Sequence, residues 1–360
     1  MDGKYLQVEK ILLNKTYVGD DYPAYIIGEI SGNHGGDLST ALHLIEQAKN
    51  MGVNAVKLQT YTADTITINS DKEDFKIPDS SPWKESKTLH SLYAEAYTPW
   101  EWHKKLFEKA RQLEIDIFSS PFDETAVDFL EELEAPFYKI ASPEIVDLNL
   151  LKKVASTGKP VILSTGLAVL EDIKLAINTL NEHGCEDIVL LKCSTSYPAK
   201  FEEVNLLTME DYKKKFDVVI GISDHTEGAA VPIAAVALGA KVIEKHFVNK
   251  GDTTVDSFFS LEVESFKNMI EDIRKVEKSL GDINYDLTES VKENVWAKRS
   301  LYVSKNVKKG EILKGNIKSV RPGYGLHPMY FDEVSSYFAT KDLEIGDRVT
   351  WDVITRDINK

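Results

Sequence analysis

Eight short, almost unbroken apolar runs recur along the chain before Gly281. They are YIIGEI from Tyr25, AVKLQT from Ala55, IDIFSS from Ile115, FYKIAS from Phe137, PVILST from Pro160, IVLLKC from Ile188, VVIGIS from Val218 and KVIEKH from Lys241. Continuous Ile, Val, Leu and Phe are what strands buried on both faces require. The segments between them have helical period. Asp37 to Met51 carries Leu38, Leu42, Ile45 and Ala48 on one face and is stopped by Gly52. Phe266 to Leu280 carries Met269, Ile270, Ile273 and Val276 and is stopped by Gly281. Eight alternations of strand and helix predict an α/β fold, a (β/α)8 TIM barrel over residues 1–285. One interval is irregular. Tyr61 to Pro99 is polar and aromatic, and an insertion at that point lies on the active-site face as a lid or substrate-gripping loop.

Beyond the barrel the period changes. Residues 286–298 form a linker, with Leu287 to Ala297 expected to be helical, and 299–360 form a small β-rich domain. SKNVKKGEIL from Ser304 and TKDLEIGDRV from Thr340 read as a weak repeat, each with a glycine turn between two short strands. A tail this small folds only marginally alone. It is expected to pack on something, a second subunit included.

In a barrel of this kind the chemistry sits at the C-terminal strand ends, and here those ends are polar. The first strand closes on Glu29, before Ser31 to Gly36. The second offers Lys57 and Gln59, two apart and therefore on one face. Then come Ser119 and Ser120, Lys139 and Ser142, and Ser164. The last three strand ends offer Lys192, Ser194, Thr195 and Tyr197, then Ser223 and His225, then Glu244 and His246. A lysine in an apolar strand is costly unless it meets an anion. Lys57 and Lys139 converging on one mouth therefore predict a phosphate or carboxylate ligand. Lys192 has a phase that permits either face, and a strand lysine can also snorkel or pair with a neighbouring acid. His225 and His246 end adjacent strands and are the candidate metal ligands. Imidazoles beside carboxylates suit a divalent first-row ion, Mn²⁺ first, with Mg²⁺ or Co²⁺ as alternatives. The competing reading is two histidines that only cap strands. Gly35-Gly36 lacks the spacing of a nucleotide fingerprint and reads as a turn. Thr98-Pro99-Trp100 reads as a helix start with a threonine cap.

Composition narrows the field. The 360 residues include 58 acidic and 43 basic side chains, a formal net charge of −15. Such a surface repels nucleic acid and anionic membrane, so neither is expected as a partner, and any anionic substrate needs local positive charge. Cys185 and Cys193, with no CxxC, fit a reducing compartment and ordinary core positions. The opening MDGKYLQVEK has no apolar leader, and no run approaches a membrane span, so a cytoplasmic protein is expected.

Taken together, GEISGNHGG, AVKLQTY, FSSPFDETAVDFLE, YKIAS, ILSTG, LKCSTSYPA, GISDHT and VIEKHF, with KRSLYVSKNVKKGE and RPGYGLHP in the tail, resemble the sialic acid synthase family over essentially the whole length. The tail is similar to that family's antifreeze-like (SAF) domain. YTADTITINSDKEDFKI, TPWEWHKKLFEKA and RPGYGLHP draw the resemblance toward the pseudaminic branch. The resemblance implies condensation of phosphoenolpyruvate with the open-chain aldehyde of an acetamido sugar, giving a nine-carbon keto acid and phosphate. In the pseudaminic branch that sugar is a 2,4-diacetamido-2,4,6-trideoxy altrose. It implies metal at His225 and His246, and phosphoenolpyruvate at Lys57, Ser120, Lys139, Ser142, Ser164, Thr195 and Ser223. It implies sugar contacts at Glu29, Gln59, Tyr197 and Asp256, with Glu29 and Glu244 as the acid/base candidates. Arg321 matches an arginine that reaches a partner subunit's barrel, which implies a domain-swapped homodimer. Three departures stand out: GNHGG in the first motif, Thr195 where relatives carry Asn, and TTVDSFFSLE where sialic acid synthases proper have a Gly-Pro-Asp turn. The last weakens the case for N-acetylmannosamine.

The alternatives are the legionaminic and N-acetylneuraminic branches, a class I aldolase that forms a Schiff base through Lys139 or Lys192, and a non-catalytic sugar-binding barrel. The standing of Lys57, Lys139, His225 and His246 together argues against the last.

Overall fold

The computed structural model describes residues 10–358. The chain divides into two compact units, one up to Gly281 and one from Asp282 onward. The opening MDGKYLQVE, read above for the absence of a leader, lies outside the described residues. Among the described residues no helix is long and apolar enough to cross a membrane.

The first unit opens with a hairpin, β1 (Lys10–Leu13) and β2 (Thr16–Gly19), which pair antiparallel. The eight predicted strands follow: β3 (Tyr25–Glu29), β4 (Ala55–Thr60), β5 (Asp116–Pro121), β6 (Tyr138–Ile140), β7 (Val161–Ser164), β8 (Ile188–Cys193), β9 (Val219–Asp224) and β10 (Val242–Val248). Each pairs parallel with the next, and β10 pairs with both β9 and β3, which closes the barrel. A two-residue strand, β11 (Leu261–Glu262), adds to β10.

Strand period explains what fills the interior. Alternate residues face inward, and at the N-terminal end these are Tyr25, Ile27, Ala55, Phe118, Phe137, Ile162, Val189, Leu191, Val219 and Val242. Ile11, Leu13 and Val18 of the hairpin join the same cluster and close that end of the barrel. The opposite phase packs on the helices in a second, larger core. The same inward rows continue upward into Glu29, Lys57, Ser120, Lys139, Ser164, Ser223, Glu244 and His246, all buried. The apolar floor therefore ends where a polar layer begins.

The first barrel helix runs Leu38–Met51, with Asp37 outside it as the cap: its carboxylate accepts from the Ser39 and Thr40 amides, and Gly52 ends the helix at φ 85°. Its deepest face is Ala41, Leu44, Ile45, Ala48 and Met51, so Leu38 and Leu42 flank the buried stripe. The helix Trp100–Gln112 corrects the expected threonine cap. Pro99 holds the cap position without a side-chain bond, and Thr98 is used elsewhere.

In the second unit the expected linker helix is short, Glu289–Lys292, followed by a turn of 3-10 helix at Val295–Ala297. The strands are β12 (Ser300–Val303), β13 (Ile317–Val320), β14 (Phe338–Ala339) and β15 (Ile354–Thr355). The repeated segments do not form two separate hairpins. They pair with each other: Val307 and Leu343 exchange both backbone hydrogen bonds, at 2.9 and 2.8 Å. Gly310 N donates to Ala339 O as Gly346 N donates to Val303 O. The sequence repeat is thus a local two-fold, and part of each arm's backbone is satisfied across it.

Leu13 is fully buried between the hairpin and the barrel floor. Leu13→Ala is expected to destabilise the first unit by about 2–5 kcal/mol, read as a lower urea midpoint. An unchanged midpoint would show that the hairpin does not close the barrel.

Candidate active site

The polar layer is built around four charges. Lys57 Nζ lies 2.5 Å from Glu29 Oε2 and 3.5 Å from Glu244 Oε1, and Lys139 Nζ donates to Glu244 Oε1 at 3.2 Å. Ser223 Oγ donates to the same Glu244 oxygen at 3.0 Å. None of the four charged side chains is more than 4 % exposed. Moving an ion out of water costs several kcal/mol, and ion pairing repays this only in part. Nothing in the core needs these groups, so their burial points to a ligand.

The ionisation pattern separates the two acids. Burial pushes Glu29 toward its protonated form, and the opposing pull of Lys57 does not overcome it. Burial also works against charge on Glu244, but Lys139 and Lys57 outweigh it and bring it to about 2. Among the lysines, burial opposes charge on Lys57, yet Glu244 and Glu29 raise it overall, whereas burial prevails at Lys139 and lowers it.

Hydroxyls ring this cluster. Ser120 Oγ and Ser164 Oγ are buried without a hydrogen-bond partner. Ser142 Oγ accepts from Gly166 N at 2.9 Å. A Cβ on Gly166 would sit 2.0 Å from Thr195 Oγ1 and 2.8 Å from Ser142 Oγ, so only glycine leaves this space open. Buried hydroxyls are ordinarily satisfied. The spare ones stand on strands next to those that carry Lys57 and Lys139, and are donors of the kind an anion would need.

Above this layer His225 and His246 face each other, with ring centroids 5.3 Å apart. His225 Nδ1 donates to the Ser194 carbonyl at 3.1 Å, which leaves Nε2 uncommitted; burial opposes charge on this ring, but Cys193 and the Ser194 carbonyl raise it overall, so an ion held there would displace a proton. His246 Nδ1 is buried without a partner, and burial holds the ring neutral. Among the described residues no three His, Cys, Asp or Glu side chains surround one point. The pair fits a divalent ion that draws its other ligands from substrate and water. Tyr197 packs on His225 at 4.6 Å, and Phe259 on His246 at 4.8 Å. Asp256, buried, accepts from Gly32 N at 3.2 Å. Gln59, next to last in β4 and half-buried, lies in the same inward row as Lys57. Arg321 lies in the second unit, exposed, and forms no ion pair among the described residues.

Several features escaped the reading of the sequence. Lys192 has the outward phase, and its Nζ donates to the Cys193 carbonyl at 2.8 Å. Cys193 is not an ordinary core thiol: Sγ lies 3.9 Å from His225 Nδ1, and although burial pushes the thiol up, that contact brings it to about 7. Glu144, two residues past Ser142, has a buried, unpartnered oxygen, and burial raises it to about 7. Lys245 and Asp224 form a buried outward-facing pair at 2.5 Å, a structural tie between β9 and β10. Strand phase alone, applied to every charged strand residue, separates Lys192 and Lys245 from Lys57 and Lys139.

The insertion begins after Thr60 and ends at Thr98, and a buried histidine holds each end. His103 Nε2 and Thr60 Oγ1 are 2.9 Å apart, and His34 Nε2 and Thr98 Oγ1 are 3.2 Å apart.

With this geometry established, comparison places the chain. The NeuB family profile matches residues 44–285 and the SAF domain profile residues 298–355. The fold is that of a (β/α)8-barrel enzyme, with a buried lysine–carboxylate cluster and a histidine pair at its strand ends, and the chain belongs to the NeuB family. It is 45% identical to a pseudaminic acid synthase from Campylobacter jejuni over 91% of this chain and 95% of that protein. It is 43% identical to a pseudaminic acid synthase from Helicobacter pylori over 93% of this chain and 99% of that one. Among solved structures, an N-acetylneuraminic acid synthetase from Leptospira borgpetersenii in complex with citrate superposes with a TM-score of 0.69. It is 31% identical and covers 79% of this chain and 95% of its own.

Burial lowers His34 and His103 from 6.5 to about 4. As pH falls from 6.5 toward 4 the unfolded chain takes up protons that the folded chain refuses, so stability falls over that window. The loss is on the order of 2 kcal/mol for each histidine. Urea midpoints measured across the window should drop, and His103→Gln should flatten the drop. Parallel curves for the two proteins would contradict this.

Proposed function

We propose that the chain is a pseudaminic acid synthase, condensing phosphoenolpyruvate with 2,4-diacetamido-2,4,6-trideoxy-L-altrose to give pseudaminic acid and phosphate. The observation that carries the reading is the buried Lys57–Glu29/Glu244–Lys139 cluster with its spare Ser120 and Ser164 hydroxyls. The identity to pseudaminic acid synthases supports the choice of sugar.

Lys57 and Lys139, with the hydroxyls of Ser120, Ser142, Ser164, Thr195 and Ser223, receive the phosphate and carboxylate of phosphoenolpyruvate as charge-assisted hydrogen bonds. Held this way, the enol carbon is presented to the aldehyde carbon of the sugar, and a bimolecular encounter becomes an intramolecular one. Glu29, Gln59, Tyr197 and Asp256 hold the sugar. Glu29, which burial pushes toward its protonated form, hands a proton to the aldehyde oxygen. Glu244 stays ionised, and its work is to keep the two ammonium groups charged and aimed. His225 and His246 would hold a divalent ion, Mn²⁺ first and Mg²⁺ or Co²⁺ as alternatives, which would supply Lewis acidity and lower the pKa of a water; one water adds to C2 of phosphoenolpyruvate as the phosphate leaves.

The enzyme works in the cytoplasm on small molecules, as a homodimer in which the exposed Arg321 enters the partner's site. Sedimentation velocity reads this directly: a monomer at assay concentration defeats the dimer. A Schiff-base aldolase remains the second reading, because burial lowers Lys139 toward a nucleophilic amine.

Phosphate release should appear with the altrose sugar, be absent with N-acetylmannosamine, and vanish on chelation. His225→Ala and His246→Ala should each lower kcat at least about 100-fold while phosphoenolpyruvate still binds. Chelator-resistant turnover with borohydride trapping would replace the synthase with the aldolase. Release with a different sugar alone would move the substrate to the legionaminic or N-acetylneuraminic branch.

A further inference from the structure

One side of the mouth is lined by aromatic rings that come from three different segments. Tyr197 follows β8. Phe258 and Phe259 lie between β10 and β11. Trp83 belongs to the insertion. Phe259 lies 4.8 Å from the His246 ring and 4.9 Å from Tyr197, edge or tilted. Trp83 meets Tyr197 at 5.3 Å, Phe258 at 5.8 Å and Phe259 at 6.5 Å. Its indole N–H donates to Val255 O at 3.0 Å, which ties the insertion to the segment carrying Asp256.

This group is not simply core. Phe258 is 46% exposed, and Trp83 is half-buried. Chains rarely leave adjacent large rings part-open unless something else covers them. The wall also has a definite polarity. With the Trp83 N–H committed to Val255, Trp83, Phe258 and Phe259 present apolar faces and edges, while the Tyr197 hydroxyl, Glu29, Asp256 and Gln59 supply polar groups. The Trp83, Phe258 and Phe259 rings thus give the neighbourhood of the histidine pair an apolar surface.

We infer that this wall determines sugar specificity, with Trp83 as its specificity-determining residue, by taking the methyl-bearing edge of a deoxy sugar and disfavouring a hydroxylated one. The inference rests on the synthase reading above. A methyl group set against the rings leaves water and gains contact. A hydroxymethyl in the same place loses its water and finds no partner. An apolar pocket discriminates against an added hydroxyl by at most about 100-fold, so the preference is graded.

The test compares wild type, Trp83→Ala, Trp83→Phe and Phe258→Ala on two sugars, the trideoxy altrose and its 6-hydroxy counterpart. It measures kcat/KM for each, the KM for phosphoenolpyruvate, and calorimetric binding of each sugar. Trp83→Ala should lower kcat/KM for the deoxy sugar roughly ten-fold, mainly through KM, and bring the two sugars close to parity. Sugar binding should weaken in step, the KM for phosphoenolpyruvate should stay put, and Trp83→Phe should restore most of the preference. Phe258→Ala, at a part-exposed position, gives the same reading if Trp83→Ala fails to fold. An active wild type whose preference survives in Trp83→Ala and Phe258→Ala, or equal losses on both sugars, overturns this inference alone. A wild type inactive with every sugar overturns the synthase reading and this inference with it.

Discussion

Two ammonium groups and two carboxylates share the dry upper end of the barrel, and the rest of the structure is arranged to make that tolerable. Each ion has given up water, and no apolar core would choose these side chains; with burial pushing Glu29 toward its protonated form, Glu244 is the carboxylate that balances the lysines. The closed eight-strand sheet fixes their positions. The hairpin and its apolar floor shut off the opposite end. The chain as a whole is strongly acidic, so the positive charge an anion needs has to be local, and Lys57 and Lys139 provide it. Glu244 then has a structural reason to sit between them: it keeps both lysines charged until a stronger anion arrives.

The period of two makes this layer legible in the sequence. Once Tyr25, Ala55, Phe137 and Val242 are assigned inward, Glu29, Lys57, Lys139 and Glu244 follow on the same rows, and the hydroxyls of Ser120, Ser164 and Ser223 with them. The eight strands were readable for the same reason, because burial on both faces leaves unbroken apolar runs. The features that went unread depend on distant partners. The hairpin strands have four residues each, too short for a pattern, and gain meaning only against the barrel floor. Cys193 becomes unusual only beside His225, Gly166 only beside Thr195, and Glu144 only once the fold buries its carboxyl. In the second unit the repeat was visible, but its pairing across a two-fold was not, because local turn signals do not say which strand answers them.

The insertion links the two halves of the account. Its ends are pinned by neutral histidines, and its Trp83 reaches the segment that carries Asp256. The buried lysine–carboxylate layer and the aromatic rings around Trp83 are thus joined through one segment of chain.

The most direct test of the central claim is calorimetric titration of phosphoenolpyruvate into the protein without sugar, for wild type and Lys139→Met. If the buried cluster is the anion cradle, wild type binds, and the variant, which keeps its fold but leaves Glu244 with one fewer cation, binds at least about 100-fold more weakly. Equal binding by a folded Lys139→Met protein would show that the anion lodges elsewhere and that the four-charge cluster serves the fold alone.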